Sequence, residues 1–170
     1  MAMERCERCG RDLAARRTTA EAPYAYSESG LRNVFLVGIT VLTCPQCKGE
    51  SPVIPKIAQL HEVIARSLLT KPALLSGEEI RFLRKHAGVA QKAFADLLGM
   101  TQEHLSRVET GKTEVLGPAG DKLVRAVVAQ QLQAEDLAKT VLLNPKRLRR
   151  QLRRRPTFAM ERNRWREVAA

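Results

Sequence analysis

Residues 91–111 read QKAFADLLGMTQEHLSRVETG. This run predicts two short helices that cross at a tight turn. Ala95 is small enough for two helix backbones to approach closely, and Gly99 lies where the turn needs a positive φ that glycine adopts at little cost. Thr101 is a good N-cap for the second helix, and Gly111 is typical of the residue that follows a helix end. The run therefore predicts a pair of crossed helices.

The second of these helices presents a polar outer face near its N-terminal end. The spacing places Gln102, Glu103, Ser106 and Arg107 on this face, where a recognition helix meets base edges. Arg107 can donate two hydrogen bonds to guanine O6 and N7, Gln102 can read adenine N6 and N7, and Glu103 can accept from cytosine N4. Such a face predicts sequence-specific DNA binding. The alternative is a plain helical hairpin whose polar side chains face solvent.

The run resembles the DNA-binding helices of the phage-repressor (XRE-like) helix-turn-helix family. The residues that match the family's pattern are Gln91, Ala95, Gly99, Thr101, Glu109 and Gly111. The resemblance implies that Gln91 hydrogen-bonds a phosphate and that Gln102, Glu103 and Arg107 reach bases. One position departs from the pattern, because Ala90 stands where the family usually has a Ser or Thr N-cap.

Further residues around these two helices are expected to contact phosphates together with Gln91, because of their charge and position. The full set is Gln91, Lys92, Thr101, Lys112 and Thr113. One recognition helix reads too few base pairs alone, so a homodimer is expected on double-stranded DNA, with two helices about 34 Å apart on a palindromic operator. Either an interface or a core position is expected for Leu123, Val127, Leu132, Leu137 and Val141.

Four cysteines form two matched C-x-x-C units. The first is Cys6 and Cys9, and the second, after 34 intervening residues, is Cys44 and Cys47. Two such turns facing each other supply the four tetrahedral sulfurs that Zn²⁺ favours at about 2.3 Å. The alternatives are two disulfides, a redox dithiol or four unrelated cysteines. A single structural Zn²⁺ in a closed four-thiolate shell is the preferred interpretation, with no histidine ligand and no catalytic role.

The remaining pattern predicts a mainly α-helical chain with a small β-rich zinc module and a five-helix helix-turn-helix domain of phage-repressor type. The expected divisions are a zinc-binding module at 1–50, a helix and hinge at 51–73, the DNA-binding domain at 74–143 and a basic tail at 144–170. Within 34–41, Gly38 predicts a bulge or a kink between two strands. Ser51–Pro52 is expected to open a helix that ends near 70–72, and Ser76 with Glu79 forms a capping box.

Composition narrows the function classes. The net charge is +11, and residues 141–170 hold ten basic and two acidic side chains. This tail is expected to be either a solvated segment or an arm that follows phosphates.

No apolar run reaches the length of about 20 residues that a membrane span needs, and the start lacks a signal-peptide core. A reducing cytoplasm is expected, and no phosphate loop or nucleophile motif indicates an enzyme, so no catalytic residue is assigned.

The order of the motifs resembles a second family, the MqsA/YgiT-type antitoxins. The shared features are the two cysteine pairs, the β-rich stretch between them, a helix and then the helix-turn-helix, over roughly residues 4–143. The resemblance implies a zinc module that contacts a partner protein, often a ribonuclease toxin. It also implies a dimer that represses transcription of its own operon. The alternatives are a protein-interaction module with secondary DNA binding and a stand-alone repressor without a toxin.

Overall fold

The computed structural model describes residues 5–114, 116–134, 136–137 and 155–168, which fall into two units. The first unit combines N-terminal residues with residues 155–168, and the second contains most of the helical residues from 61 onward. Val141 and the arginine-rich residues 146–154, which entered the sequence predictions above, lie outside the described residues.

The strands in the described part of the chain are β1 (Ala14–Arg17), β2 (Tyr24–Ala25), β3 (Phe35–Val37), β4 (Thr40–Thr43), β5 (Glu50–Val53), β6 (Thr157–Glu161) and β7 (Arg164–Val168). The helices there are α1 (Ile57–Thr70), α2 (Gly77–His86), α3 (Gln91–Leu97), α4 (Gln102–Glu109) and α5 (Pro118–Gln131). A strand-rich N-terminal region followed by five helices confirms the predicted fold class. None of these helices combines the length and apolar character needed to cross a bilayer.

Gly38 divides the apolar run 34–41 into β3 and β4, as its position in the sequence predicts. Its φ is +76°, and its amide donates to the Thr18 carbonyl at 3.0 Å. The Thr18 amide donates in turn to the Ile39 carbonyl at 2.9 Å. A Cβ at Gly38 would lie 3.0 Å from the Met160 carbonyl oxygen. The bend sends β3 into a four-stranded sheet, β2–β3–β6–β7, and β4 into a three-stranded one, β1–β4–β5.

Residues 51 and 52 lie in a strand, so the expectation that they open a helix is wrong. Ser51 pairs with Leu42 and Pro52 with Val41, because β5 continues the antiparallel sheet beyond β4. β5 is an edge strand, where a proline without an N–H is tolerated. The helix starts at Ile57 instead, and Ile57 itself is 48% exposed.

The C-terminal residues 155–168 differ from the tail expected there. β6 pairs parallel to β3 and antiparallel to β7, so the hairpin completes the four-stranded sheet. Phe158 and Trp165 are 1% and 3% exposed, and the Trp165 indole N–H donates to the Pro55 carbonyl at 2.8 Å. Burial of these two aromatic side chains stabilises the hairpin as part of the first unit.

Helix ends in the second unit follow the signals in the sequence. The Ser76 amide donates to the Glu79 carboxylate at 2.7 Å, and the Glu79 amide donates to the Ser76 hydroxyl at 3.3 Å. This capping box starts α2, which ends at His86. Positive φ values of +69°, +66° and +70° stop α2, α3 and α4 at Gly88, Gly99 and Gly111. α5 ends at Gln131, so Leu132 and Leu137, named above as interface or core candidates, lie beyond it.

Arg125 on α5 ties together the segment that joins α1 to α2. Arg125 is 2% exposed, and its guanidinium donates to Asp121 at 2.7 Å. It also donates at 2.6–3.0 Å to four carbonyl oxygens, those of Leu68, Leu69, Lys71 and Ala73. The Asp121 carboxylate accepts the Leu75 amide at 2.6 Å. The hinge expected at 70–72 is therefore a segment with fixed hydrogen-bond partners.

We expect Gly77→Ala to destabilise the second unit. A Cβ at Gly77 would overlap the carbonyl oxygen of Val108, a backbone atom that cannot rotate away. Separating α2 from α4 should lower the free energy of unfolding by about 1–3 kcal/mol. Gly117→Ala is the matched control. Gly117 also lies at a helix start, but a Cβ added there would have no atom within 4 Å. Urea denaturation of both variants measures the difference, and equal midpoints would contradict close packing at Gly77.

Candidate metal centre and nucleic-acid interface

The two C-x-x-C segments fold into turns with the same hydrogen-bond pattern. In each, the first cysteine's amide donates to the carbonyl five residues later, and the amide four residues later donates back to that cysteine's carbonyl. These bonds, 2.8–3.0 Å long, join Cys6 N to Arg11 O, Gly10 N to Cys6 O, Cys44 N to Gly49 O and Lys48 N to Cys44 O. The fourth residue after the first cysteine has a positive φ in both turns, +70° at Gly10 and +57° at Lys48.

The turns bring the four cysteine sulfurs to one point. All four cysteines are free thiols, and their Sγ atoms lie within 4.8 Å of one another. The Cys9 and Cys44 sulfurs are 3.5 Å apart, far beyond a disulfide bond. A tetrahedral zinc–thiolate site has sulfur–sulfur edges of about 3.8 Å, given Zn–S bonds of about 2.3 Å. The donor set and its spacing therefore fit a four-coordinate metal ion.

Electrostatics of the cluster are consistent with a bound cation. The Cys47 amide donates to the Cys44 sulfur at 3.3 Å and holds the pKa of the Cys44 thiol at about 6. The hydrogen bond to Cys9 and the partial burial of Cys47 raise the pKa of the Cys47 thiol to about 12. Four converging sulfurs cannot all ionise without a positive charge between them, and a coordinated metal ion deprotonates its thiols outright. The four cysteines can thus bind a metal ion.

α3 and α4 form the crossed pair that residues 91–111 predict. The turn between them is closed by a hydrogen bond of 3.0 Å from the Met100 amide to the Ala95 carbonyl, with Gly99 at φ +66°. The Thr101 hydroxyl accepts the His104 amide at 3.2 Å and caps α4. Residues 77–140 match the family model of a helix-turn-helix domain. Comparison with curated proteins and with solved structures finds no match.

The helix-turn-helix domain exposes the outer face of α4. Leu105 and Val108 point into the core and are 0% and 1% exposed. The base-reading side chains proposed from the sequence all lie on α4, with Ser106 partly buried and the others exposed: Gln102, Glu103, Ser106 and Arg107. Three of the five proposed phosphate contacts lie at the starts of α3 and α4, and the other two follow the end of α4: Gln91, Lys92 and Thr101, then Lys112 and Thr113.

A buried ion pair positions two of these side chains. Glu109, 4% exposed, accepts two hydrogen bonds from the Arg84 guanidinium at 2.6 and 3.0 Å. The Gln91 amide nitrogen donates to the same carboxylate at 2.9 Å, and the Gln102 amide donates to the Gln91 oxygen at 3.3 Å. These hydrogen bonds hold Gln91, a proposed phosphate contact, beside Gln102, a proposed base contact. Sequence reasoning missed the role of Arg84, whose only signal is a charge between buried positions of α2.

Proposed function

We propose that the chain is a sequence-specific, DNA-binding transcriptional regulator that acts as a repressor in the cytoplasm. The observation that carries this proposal is the exposed polar face of α4 within a domain that matches a helix-turn-helix model. Arg107 is exposed and can donate to a guanine edge. Gln102 is also exposed and can read an adenine edge once its amide leaves the Gln91 oxygen to which it donates. Glu103 on the same face accepts from cytosine or disfavours competing sequences, since a carboxylate near phosphates costs affinity.

Contacts with the phosphates of the DNA backbone set the position of α4 in the major groove. Lys92 and Lys112 are exposed at the start of α3 and after the end of α4, where their charges meet phosphates on either side of the groove. Gln91 and Thr101 lie at the N-termini of α3 and α4, which favour anionic groups. Thr113 follows Lys112 and completes the set. These residues bind phosphate and carry no sequence information themselves.

The proposed regulator acts as a homodimer on a palindromic operator. One recognition helix reads only a few base pairs, and a second copy about 34 Å away reads the other half-site. Leu123 is 41% exposed on α5 and is a large apolar side chain left for such an interface. Val127, one helical turn further, is half-buried.

The ion that we propose for the four-cysteine cluster is Zn²⁺. Four thiolates select zinc or an iron–sulfur cluster over harder ions, and two C-x-x-C turns are the common setting of structural zinc. Cys6, Cys9, Cys44 and Cys47 would fill all four positions and leave none for a substrate. The metal's contribution is thus to stabilise the first unit, and we assign no catalytic residue to it.

The first unit is the part that we propose to bind a protein partner, as in an antitoxin that regulates a toxin–antitoxin operon. The support is the arrangement of a metal-bound unit ahead of a DNA-binding domain, which resembles the MqsA/YgiT-type antitoxins. A stand-alone repressor is the second candidate. A reading frame for a small toxin beside this one in the genome favours the antitoxin, and its absence favours the stand-alone repressor.

Sequencing of genomic DNA captured by the purified, zinc-loaded chain tests the DNA-binding function. We expect enrichment of a few sites that share an inverted repeat, including the promoter of the chain's own operon. Capture without a common sequence, or no capture at physiological salt, would reject the proposed regulator.

Arg107→Ala is expected to weaken binding to the captured site by about 1–3 kcal/mol, which is roughly 5- to 150-fold. Removal of the guanidinium abolishes a bidentate contact and should relax the preference at one base pair. Arg81→Ala is the control, because Arg81 is an exposed arginine on α2 and is not one of the proposed DNA contacts. Fluorescence anisotropy with the site and a scrambled duplex measures both, and an unchanged ratio of the two affinities for Arg107→Ala would exclude base reading by Arg107.

A further inference from the structure

The four-stranded sheet carries an open groove on one face. The groove has a volume of about 240 Å³. Most of its lining is apolar and comes from a loop, three strands and Arg155, which lies two residues before β6. The main lining residues are Pro23, Phe35, Val37, Arg155, Thr157 and Val168.

Strand alternation explains why this apolar surface is left uncovered. Phe35 and Val37 are two residues apart on β3 and so share one face of the sheet. Leu36 between them points to the other face and is fully buried. Thr157 pairs with Phe35 on one side and with Val168 on the other, so the three side chains form a row across the sheet. The groove is therefore the outer face of a sheet whose inner face forms the core.

Positive charge surrounds the groove. The guanidinium of Arg155 lies over the Phe35 ring, with its central carbon 5.9 Å from the ring centroid. Arg166 is exposed and is two residues from Val168, on the same face of β7. Glu21 is the one acidic residue in the loop 20–23 that lines the groove, and it already accepts hydrogen bonds from Thr19 and its own amide. The described residues of the first unit hold twelve basic and six acidic side chains.

The size and openness of the groove favour a protein segment over a small molecule. Small-molecule sites usually enclose about 300–1,000 Å³ and bury most of the ligand. A groove of about 240 Å³ matches instead one or two large apolar side chains, the kind of anchor that dominates protein interfaces. Phosphates alone would not be expected to use an apolar lining, so duplex DNA is the less favoured occupant.

We propose that this groove binds a segment of a partner protein in which a large apolar side chain lies beside acidic ones. The apolar side chain fills the space between Phe35, Val37 and Val168, and the acidic side chains pair with Arg155 and Arg166. This proposal deepens, and rests on, the proposed role of the first unit in partner binding. It is independent of base reading by α4.

Selection from a random dodecapeptide display library on the full-length, zinc-loaded chain tests the proposal. We expect enriched peptides to share a Leu, Phe or Trp flanked by Asp or Glu. Binding of a synthetic consensus peptide is then compared between the unaltered chain and two groove variants, Val168→Glu and Arg155→Glu. Each places a carboxylate in or beside the groove, and each should weaken peptide binding at least tenfold.

Arg162→Glu is the control, because it makes the same charge change as Arg155→Glu but lies in the turn at the other end of the β6–β7 hairpin. It should leave peptide affinity within twofold, and all three variants should melt near the unaltered temperature. No acidic–apolar consensus, or peptide binding that both groove variants retain, would overturn the proposal. A loss of duplex affinity in Arg155→Glu as large as its loss of peptide affinity would assign the groove to DNA. Failure of the genomic capture, with peptide binding intact, would reject the regulator but not the groove.

Discussion

Removal of the metal is expected to unfold the first unit while the helices of the second unit persist. Zinc bound by four thiolates contributes about 10–16 kcal/mol of apparent free energy in small zinc domains, more than most single domains have in total. The cysteine turns also hold strand ends together, since Cys44 directly follows β4 and β5 begins shortly after Cys47. A chelator should therefore cause a loss of structure confined to the strands.

Trp165 makes this prediction measurable because it is the one tryptophan in the chain and lies in the first unit. It is 3% exposed, so unfolding should shift its emission to longer wavelength. Far-ultraviolet circular dichroism reports the helices separately. Cys47→Ser should reproduce the effect of the chelator, and Gln46→Ala, in the same turn, should not. If a chain shown to be metal-free kept the emission wavelength of a buried Trp165, a structural role for the metal would be contradicted.

Arg125→Met is expected to lower the free energy of unfolding of the second unit by about 3–5 kcal/mol. The substitution leaves the Asp121 carboxylate buried without its charged partner. It also removes the donor from four carbonyl oxygens at and beyond the end of α1. Unfolding by urea, followed by circular dichroism, measures the loss.

Arg66→Met is the matched control, because Arg66 forms the same i,i+4 ion pair with Glu62 on an exposed helix face. Its loss should cost about 0.3–0.5 kcal/mol. The double variant Arg125→Met, Asp121→Leu removes both buried charges but leaves the four carbonyls and the Leu75 amide without these partners. We expect it to recover only part of the stability, and full recovery would show that the carbonyl contacts contribute nothing.

Local signals in the sequence predicted the parts of the fold that local chemistry determines. Ser76 with Glu79, Thr101, Gly99 and Gly111 place helix ends through caps and φ angles that neighbouring residues set. Gly38 marks the bend between β3 and β4 for the same reason. The convergence of four sulfurs followed from two equal C-x-x-C spacings.

The remaining features depend on contacts between residues far apart in the chain. β6 pairs with β3 across more than a hundred residues, and a parallel pairing has no connecting turn that a local pattern could reveal. The many arginines of residues 141–170 predicted either a solvated tail or an arm that follows phosphates, whereas in the described residues 155–168 Phe158 and Trp165 are buried in a hairpin. The Arg84–Glu109 and Arg125–Asp121 pairs were missed because a charged residue on a helix is usually exposed.

Because β6 and β7 complete a sheet that begins with β2 and β3, the order of biosynthesis matters for this protein. The ribosome makes the cysteine turns and the whole DNA-binding region before it makes the residues that cover Leu36. Until translation reaches Trp165, the nascent chain exposes an apolar strand surface. We therefore expect chains that terminate early, even well past the recognition helix, to be targets for chaperones and proteases.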